Sequence, residues 1–173
     1  DSVNIKGCYT YAYRIVSSFS GFSFTSLSDT IALSPFDLVA PGPPVIRYAS
    51  VVSNTSNKLV VTKSDSLDVN RYEIFFKSAS SIWRSAGIVY YPVGNPFVFI
   101  HNGVSTLDSN YTYYVKAIDS CGNNISIASS QHTTIQLRSS AGAMRNFLWW
   151  TKYEGWTPLN YNVQRLIGGT WTL

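Results

Sequence analysis

The sequence predicts an all-β chain of tandem β-sandwiches, and three observations carry that expectation. Short runs of alternating polar and apolar residues recur along it; no stretch of a dozen residues places apolar positions at helical spacing; and the chain matches itself at a distance of about 90–100 residues. Val45 to Val51 reads as the first strand of a complete unit, Lys58 to Thr62 as the second and Tyr72 to Lys77 as the third. Trp83 to Tyr91, Pro96 to His101, Tyr111 to Ile118 and Gln131 to Leu137 follow, divided by Asn, Asp, Ser and Gly turns. Valine, isoleucine, threonine and tyrosine dominate these runs, and such side chains fit a pleated, half-buried surface. Period-two alternation puts Leu59 with Val61, Tyr72 with Ile74 and Phe76, and Tyr113 with Val115 and Ala117 on one face each, which makes them the expected core.

The internal match sets the organisation. Leu59-Val60-Val61-Thr62-Lys63 lies over Leu148-Trp149-Trp150-Thr151-Lys152, and Arg71-Tyr72-Glu73-Ile74 over Asn160-Tyr161-Asn162-Val163, both at an offset of 89 residues. Tyr11 to Ile15 lies over Tyr111 to Val115 at 100, and Thr30 to Leu33 over Thr134 to Leu137 at 104. A repeat of this size fits one immunoglobulin-like sandwich. Residues 1–40 are therefore expected to be the rear of one module, 43–137 a complete module and 138–173 the front of a third. The spacer Ala40-Pro41-Gly42-Pro43-Pro44 reads as stiff and extended. Arg138 to Arg145, richer in Ser, Ala and Gly, reads as a joint that bends more. A start at Asp1 without methionine fits either a removed signal peptide or ends cut through modules.

Composition narrows the function classes. Hydrophobic residues make up 45% and charged residues only 13%, so Ser, Thr, Asn and Tyr must build the surface, in the manner of secreted β-proteins. The net charge of +4 comes from basic residues scattered singly, with no stripe, so nucleic acid is not an expected partner. No apolar run reaches the ~20 residues of a membrane span. No cofactor or metal is expected: the carboxylates are spread singly, and the sequence holds no nucleophile elbow, phosphate loop or paired-histidine zinc motif. His101 closes one predicted strand and His132 opens another, each without a nucleophile beside it, so both are expected to be satisfied edge residues and the chain to be no enzyme. Cys8 and Cys121 fall in different units; a bridge requires those unit ends to touch, and separate thiols are the expected state.

The stretch Leu107-Asp108-Ser109-Asn110-Tyr111-Thr112-Tyr113, with Val115 and Ala117, resembles the sixth-strand signature of fibronectin type III domains, in which a loop leucine precedes a tyrosine by six positions. The resemblance implies that Tyr113 is the tyrosine corner, its ring in the core and its hydroxyl bonded back to the chain. By the repeat, Tyr13 stands at the same place in the first unit. Trp150 falls where the family's second-strand tryptophan stands and Val61 replaces it in the middle unit; Tyr72 and Tyr161 share the third-strand position. The spelling is also similar to tandem modules of Bacteroidota cell-surface proteins, on Ala40 to Ile46, Tyr114 to Asn123, His132 to Leu137 and Tyr153-Glu154-Gly155-Trp156. That implies a non-catalytic structural or adhesive segment at the extracellular bacterial cell surface, in a gliding-motility or adhesin-like protein exported by type IX secretion. The implied partners are neighbouring modules of the same chain and cell-surface or secretion-system proteins or glycans. The alternative is a glycan-binding or spacer module of a secreted polysaccharide-degrading enzyme. In such relatives a cysteine near position 110 would pair with that of the Cys-Gly-Asn turn; Asn110 stands there, so each unit holds half a bridge. Ser2, Thr30 and Ser66, each after an aspartate and before an apolar residue, resemble Bacteroidota O-glycosylation acceptors, and Asp-Ser and Asp-Thr are equally ordinary turn chemistry.

The best candidates for contact with a ligand are Trp149, Tyr153 and Trp156, because flat exposed rings are how β-sandwich modules hold sugars. The preferred reading places Trp150 and Tyr161 in a core and Trp149 and Trp156 at a module end or joint. A solvent-facing indole beside a second ring would favour glycan instead.

Overall fold

The computed structural model describes residues 8–173 apart from positions 19, 22, 37, 80–81 and 122–124. Every regular element among them is a strand. Seven strands form the central sandwich: β5 (Val45–Ser53), β6 (Ser56–Thr62), β7 (Val69–Lys77), β8 (Arg84–Tyr90), β9 (Phe97–Asn102), β10 (Thr112–Asp119) and β11 (His132–Thr133). One sheet has the order β5-β6-β9 and the other β11-β10-β7-β8, with every pairing antiparallel. Each predicted strand has its counterpart; β8 is one residue shorter at each end than expected, and the last strand is cut most, ending at Thr133.

The period-two positions make the core. Leu59, Val61, Ile74, Tyr113, Val115 and Ala117 are fully enclosed and Tyr72 nearly so, while Phe76 packs against them from a partly buried position. Each enclosed aliphatic side chain of this size contributes about 1.5–3 kcal/mol. Ile46 and Ala49 both point inward, although three residues apart, because the register of β5 slips between Ile46 and Tyr48. Such a bulge puts two residues of one strand opposite one of its partner and resets the alternation.

Around this sandwich lie smaller pieces. Towards the front, β1 (Tyr11–Tyr13) pairs with β4 (Ile31–Leu33) and β2 (Val16–Ser18) with β3 (Thr25–Leu27). Towards the rear, β12 (Leu137–Gly142) pairs with β13 (Arg145–Trp150), and β14 (Arg165–Ile167) with β15 (Thr170–Thr172). The stretch Arg138 to Arg145, expected to be a bending joint, is thus most of a β-hairpin, turned at Met144 with φ +54°. Its small residues sit in an exposed strand, where cross-strand backbone bonds need no bulk. The proline spacer docks on the sandwich: Pro41 and Pro44 are buried and the Gly42 N–H donates to Ser66 Oγ at 3.1 Å.

The repeat recurs at the level of single bonds. Ser64 N–H donates to Tyr72 Oη at 3.1 Å, and Tyr153 N–H donates to Tyr161 Oη at 2.9 Å, eight residues apart in each case. Ser64 and Tyr153 are themselves 89 positions apart, as are the two tyrosines that receive these bonds.

The cysteines are joined. Cys8 and Cys121 form a disulfide across 113 residues, so the expectation of separate thiols is corrected. The stretch before β1 of the front unit meets the loop after β10, a contact that spacing along the chain could not reveal. In the chain-entropy picture a loop of ~100 residues closed in this way loses about 4–5 kcal/mol of unfolded-state freedom.

Candidate functional site: the joint at His132 and Tyr153

Both histidines lie on edge strands with a hydrogen-bond partner each, and both are buried rather than solvent-facing. In β9 the inward parity runs Phe97, Phe99, His101, so the strand that places two rings in the core places the imidazole there too. Its Nδ1 stands 2.9 Å from the hydroxyl of Tyr113, which accepts Asn57 Nδ2–H at 2.9 Å. The Tyr113 proton therefore goes to a neutral His101. Burial lowers the pKa of His101 and raises that of Tyr113.

This arrangement also moves the tyrosine corner. Tyr113 does not bond back to the chain upstream; its hydroxyl is held by two side chains inside the sandwich. Tyr111 makes the corner instead: its Oη accepts the Ser105 N–H at 3.0 Å, six residues upstream, and donates to the Ser105 carbonyl at 3.4 Å. The corner residue sits just before β10, where the incoming loop is within reach of its hydroxyl, while Tyr113 lies a step inside the strand.

The second histidine builds the joint. His132 stands opposite Tyr113 in the β10–β11 register and is 3% exposed. Its Nδ1 lies 2.7 Å from Tyr153 Oη, and that hydroxyl accepts the Ala49 N–H of β5 at 3.0 Å. Trp156 Nε1–H donates to the Arg47 carbonyl of the same strand at 3.1 Å. The Thr133 N–H donates to the Glu154 carbonyl at 2.9 Å, and Thr133 Oγ1–H to the Glu154 carboxylate at 2.8 Å. One short segment, Tyr153 to Trp156, thus meets the edges of both sheets and satisfies edge groups of β5 that would otherwise be open to pairing. Gly155 permits the approach: its φ is +128°, and a Cβ there would overlap the His132 ring.

The rings of Tyr153 and Trp156 lie 4.5 Å apart at 37°, beside a cleft of about 320 Å³ lined by Tyr48, Ala49, Val51 and Ile135. A solvent-facing indole beside a second ring is the arrangement expected to favour glycan. Trp156 is 51% exposed, but Tyr153 is only 8% exposed, with its hydroxyl turned into the joint. Trp149, in β13, is exposed and has no ring neighbour among the described residues. Trp150 and Tyr161, expected in a core, are exposed at 38% and 37%; their rings lie 5.9 Å apart, tilted at 53°. Two strands have a single layer, and the described residues place no second layer on them. Tyr13 is half-buried in β1. Of the acceptor candidates, Thr30 is exposed and Ser66 Oγ is occupied by the Gly42 amide, while Ser2 lies outside the described residues. No cluster of three metal-ligating side chains occurs among the described residues.

Sequence reasoning missed Tyr111, Asn57, His101 and His132 as a group, though parity along β9 and β10 carried part of the signal. It had no means of finding that Tyr153 reaches Ala49, 104 positions away.

No family model matches the sequence, and no curated protein matches it. Solved structures do. The chicken CNTN1 FN1–FN3 domains match at a TM-score of 0.50 and 13% identity, over 75% of this chain and 43% of that one. A fibronectin type III domain of human collagen XX matches at 0.41 and 19% identity, over 60% of this chain and 100% of that one. A β-1,2-glucanase from Parabacteroides distasonis matches at 0.42 and 19%, over 64% of this chain and 15% of that one. The chain spans less than half the length of the CNTN1 structure. The two-sheet order and the likeness to the CNTN1 domains agree: the chain is all-β and carries a fibronectin type III-like β-sandwich module.

Proposed function

We propose that this chain is a non-catalytic structural or adhesive segment of a large secreted cell-surface protein, of the gliding-motility or adhesin-like sort exported by type IX secretion. The observation that carries the reading is the fastening of the central sandwich on both sides. The disulfide ties it to the front piece, and the Tyr153–His132, Tyr153–Ala49 and Trp156–Arg47 bonds tie it to the rear piece. Fixed neighbours transmit position and load from one module to the next, which is what a surface spacer or adhesin stalk requires. A disulfide suits an oxidising, extracellular setting.

A second reading is a glycan-binding or spacer module of a secreted polysaccharide-degrading enzyme. The half-exposed Trp156 beside the cleft favours it.

Peptide mapping by mass spectrometry of the native protein, isolated from a surface fraction, tests the first reading. Recovery within a long array of similar modules, with sugar on Thr30 or Ser2, supports it. Continuation into a catalytic domain, together with polysaccharide binding abolished by Trp156→Ala, overturns it in favour of the second.

A further inference from the structure

We propose that the joint between the seven-stranded sandwich and the Tyr153–Trp156 segment is a pH-operated latch, closed while His132 is neutral and opened when it takes a proton. The inference concerns the joint itself and holds under either reading of function.

The geometry sets the protonation state. Tyr153 Oη receives the Ala49 N–H at 3.0 Å and lies 2.7 Å from His132 Nδ1. A hydroxyl has one proton to give, and here it goes to Nδ1, which accepts only in the neutral ring that carries its hydrogen on Nε2. A proton on Nδ1 would make it a donor. The Tyr153 oxygen would then face two donors with its own hydrogen unplaced, and a positive charge would sit at a position 3% exposed, with the Gly155 backbone against the ring. Because the carbonyl of Arg47 holds Trp156 only as long as Tyr153 keeps the segment against β5, losing the first bond loosens the second.

Among the described residues no neighbouring anion offsets that charge. On β10 the group opposite His132 is Tyr113, whose hydroxyl is taken by Asn57 and His101. On β5 are Arg47, with Nε on Thr62, and Tyr48, with Lys58 over its ring. The docked segment brings Lys152, Tyr153, Glu154 and, through its hydroxyl, Tyr161. Of these only Glu154 is an anion. Its carboxylate accepts from Thr133, whose side chain alternates to the other face of the strand from His132. Burial accordingly lowers the His132 pKa below its ordinary value.

A lowered folded pKa fixes the direction. The joint holds its full stability above the ordinary histidine value of about 6.5, and loses it as pH falls from there through the folded pKa.

The test is solvent exchange of the Trp156 indole N–H, followed by NMR in the 173-residue chain and corrected for the intrinsic pH dependence of exchange. Between about pH 7.5 and pH 5 protection is expected to fall about tenfold in the wild type. His132→Asn sets a non-titrating amide oxygen at the reach of Nδ1 and should keep protection flat; His101→Asn should leave the fall in place. A flat wild-type profile, or a His132→Asn profile that follows the wild type, overturns the latch. If a variant does not fold, the wild type decides alone. The His132 Cε1 resonance and the indole exchange must then share one midpoint, and separate midpoints overturn the proposal.

Discussion

The same pair of groups, a histidine Nδ1 and a tyrosine hydroxyl, appears twice in this molecule in different settings. His101 and Tyr113 meet inside one sandwich, joined by the Asn57 amide and walled by the rings of Phe76 and Tyr111. His132 and Tyr153 meet between pieces of the chain, joined by a backbone amide of β5, with half-exposed Trp156 as a wall. The surroundings of a polar pair decide what it does. In a core already closed by Leu59, Val61 and Val115 the pair is a condition of folding, whereas at an edge it is the fastening itself.

Removing the ring separates the two settings most. Tyr113→Ala should cost about 3–5 kcal/mol in urea unfolding of the sandwich. Tyr153→Ala should leave the urea midpoint of the sandwich nearly in place while Trp156 becomes fully open to iodide quenching. Equal losses in both variants would show that the joint and the sandwich unfold as one.

Removing only the hydroxyl is the next step down. Tyr113→Phe strands Asn57 Nδ2 and His101 Nδ1 where water cannot reach, and should cost about 1–3 kcal/mol by chemical denaturation. At the joint the segment can lift from β5 and so admit water to the freed groups, and Tyr153→Phe should cost about 1 kcal/mol or less on the same measure. A larger loss for Tyr153→Phe would invert the comparison.

Gly155→Ala addresses the joint alone. The added methyl overlaps the His132 ring and meets a left-handed backbone, so the segment must withdraw from β5. Iodide should then quench Trp156 as it does in Tyr153→Ala, with the thermal midpoint of the sandwich within about 2 °C of the wild type. A sandwich that melts much earlier would place Gly155 in its folding core.

Acidification gives the smallest effect and the sharpest division. Burial lowers the pKa of both histidines, so the unfolded chain binds protons first, and stability falls as pH drops from about 6.5 through each folded value. His101→Asn should remove its own share of the pH dependence of sandwich unfolding followed by circular dichroism and leave that of His132, with no effect on the joint.

Much of the sandwich was legible in the residues. Alternation is local, so Leu59 with Val61 and Val115 with Ala117 announce an inward face without knowledge of what they meet. The match of Tyr72 with Tyr161 was legible as well, whereas the amides eight residues before them that bond to their hydroxyls emerge only in the fold. The corner was misplaced by one inward step, from Tyr111 to Tyr113, because both tyrosines share a parity and only the return bond to Ser105 distinguishes them. The joint was less legible: Trp156 was assigned to a joint without its partner, and Tyr153 and His132 carry no mark of each other.

Short-range chemistry writes strand after strand, the faces they bury and the spacing at which they recur, and these stand in the residues alone. Which distant groups meet was set by the packing of the folded chain. It joined Cys8 to Cys121, buried both histidines and brought Tyr153 to His132 and Ala49. Periodicity fixes a side chain's face relative to its own strand, but a bond across 104 residues depends on where two separately folded surfaces touch, and no local pattern encodes that position.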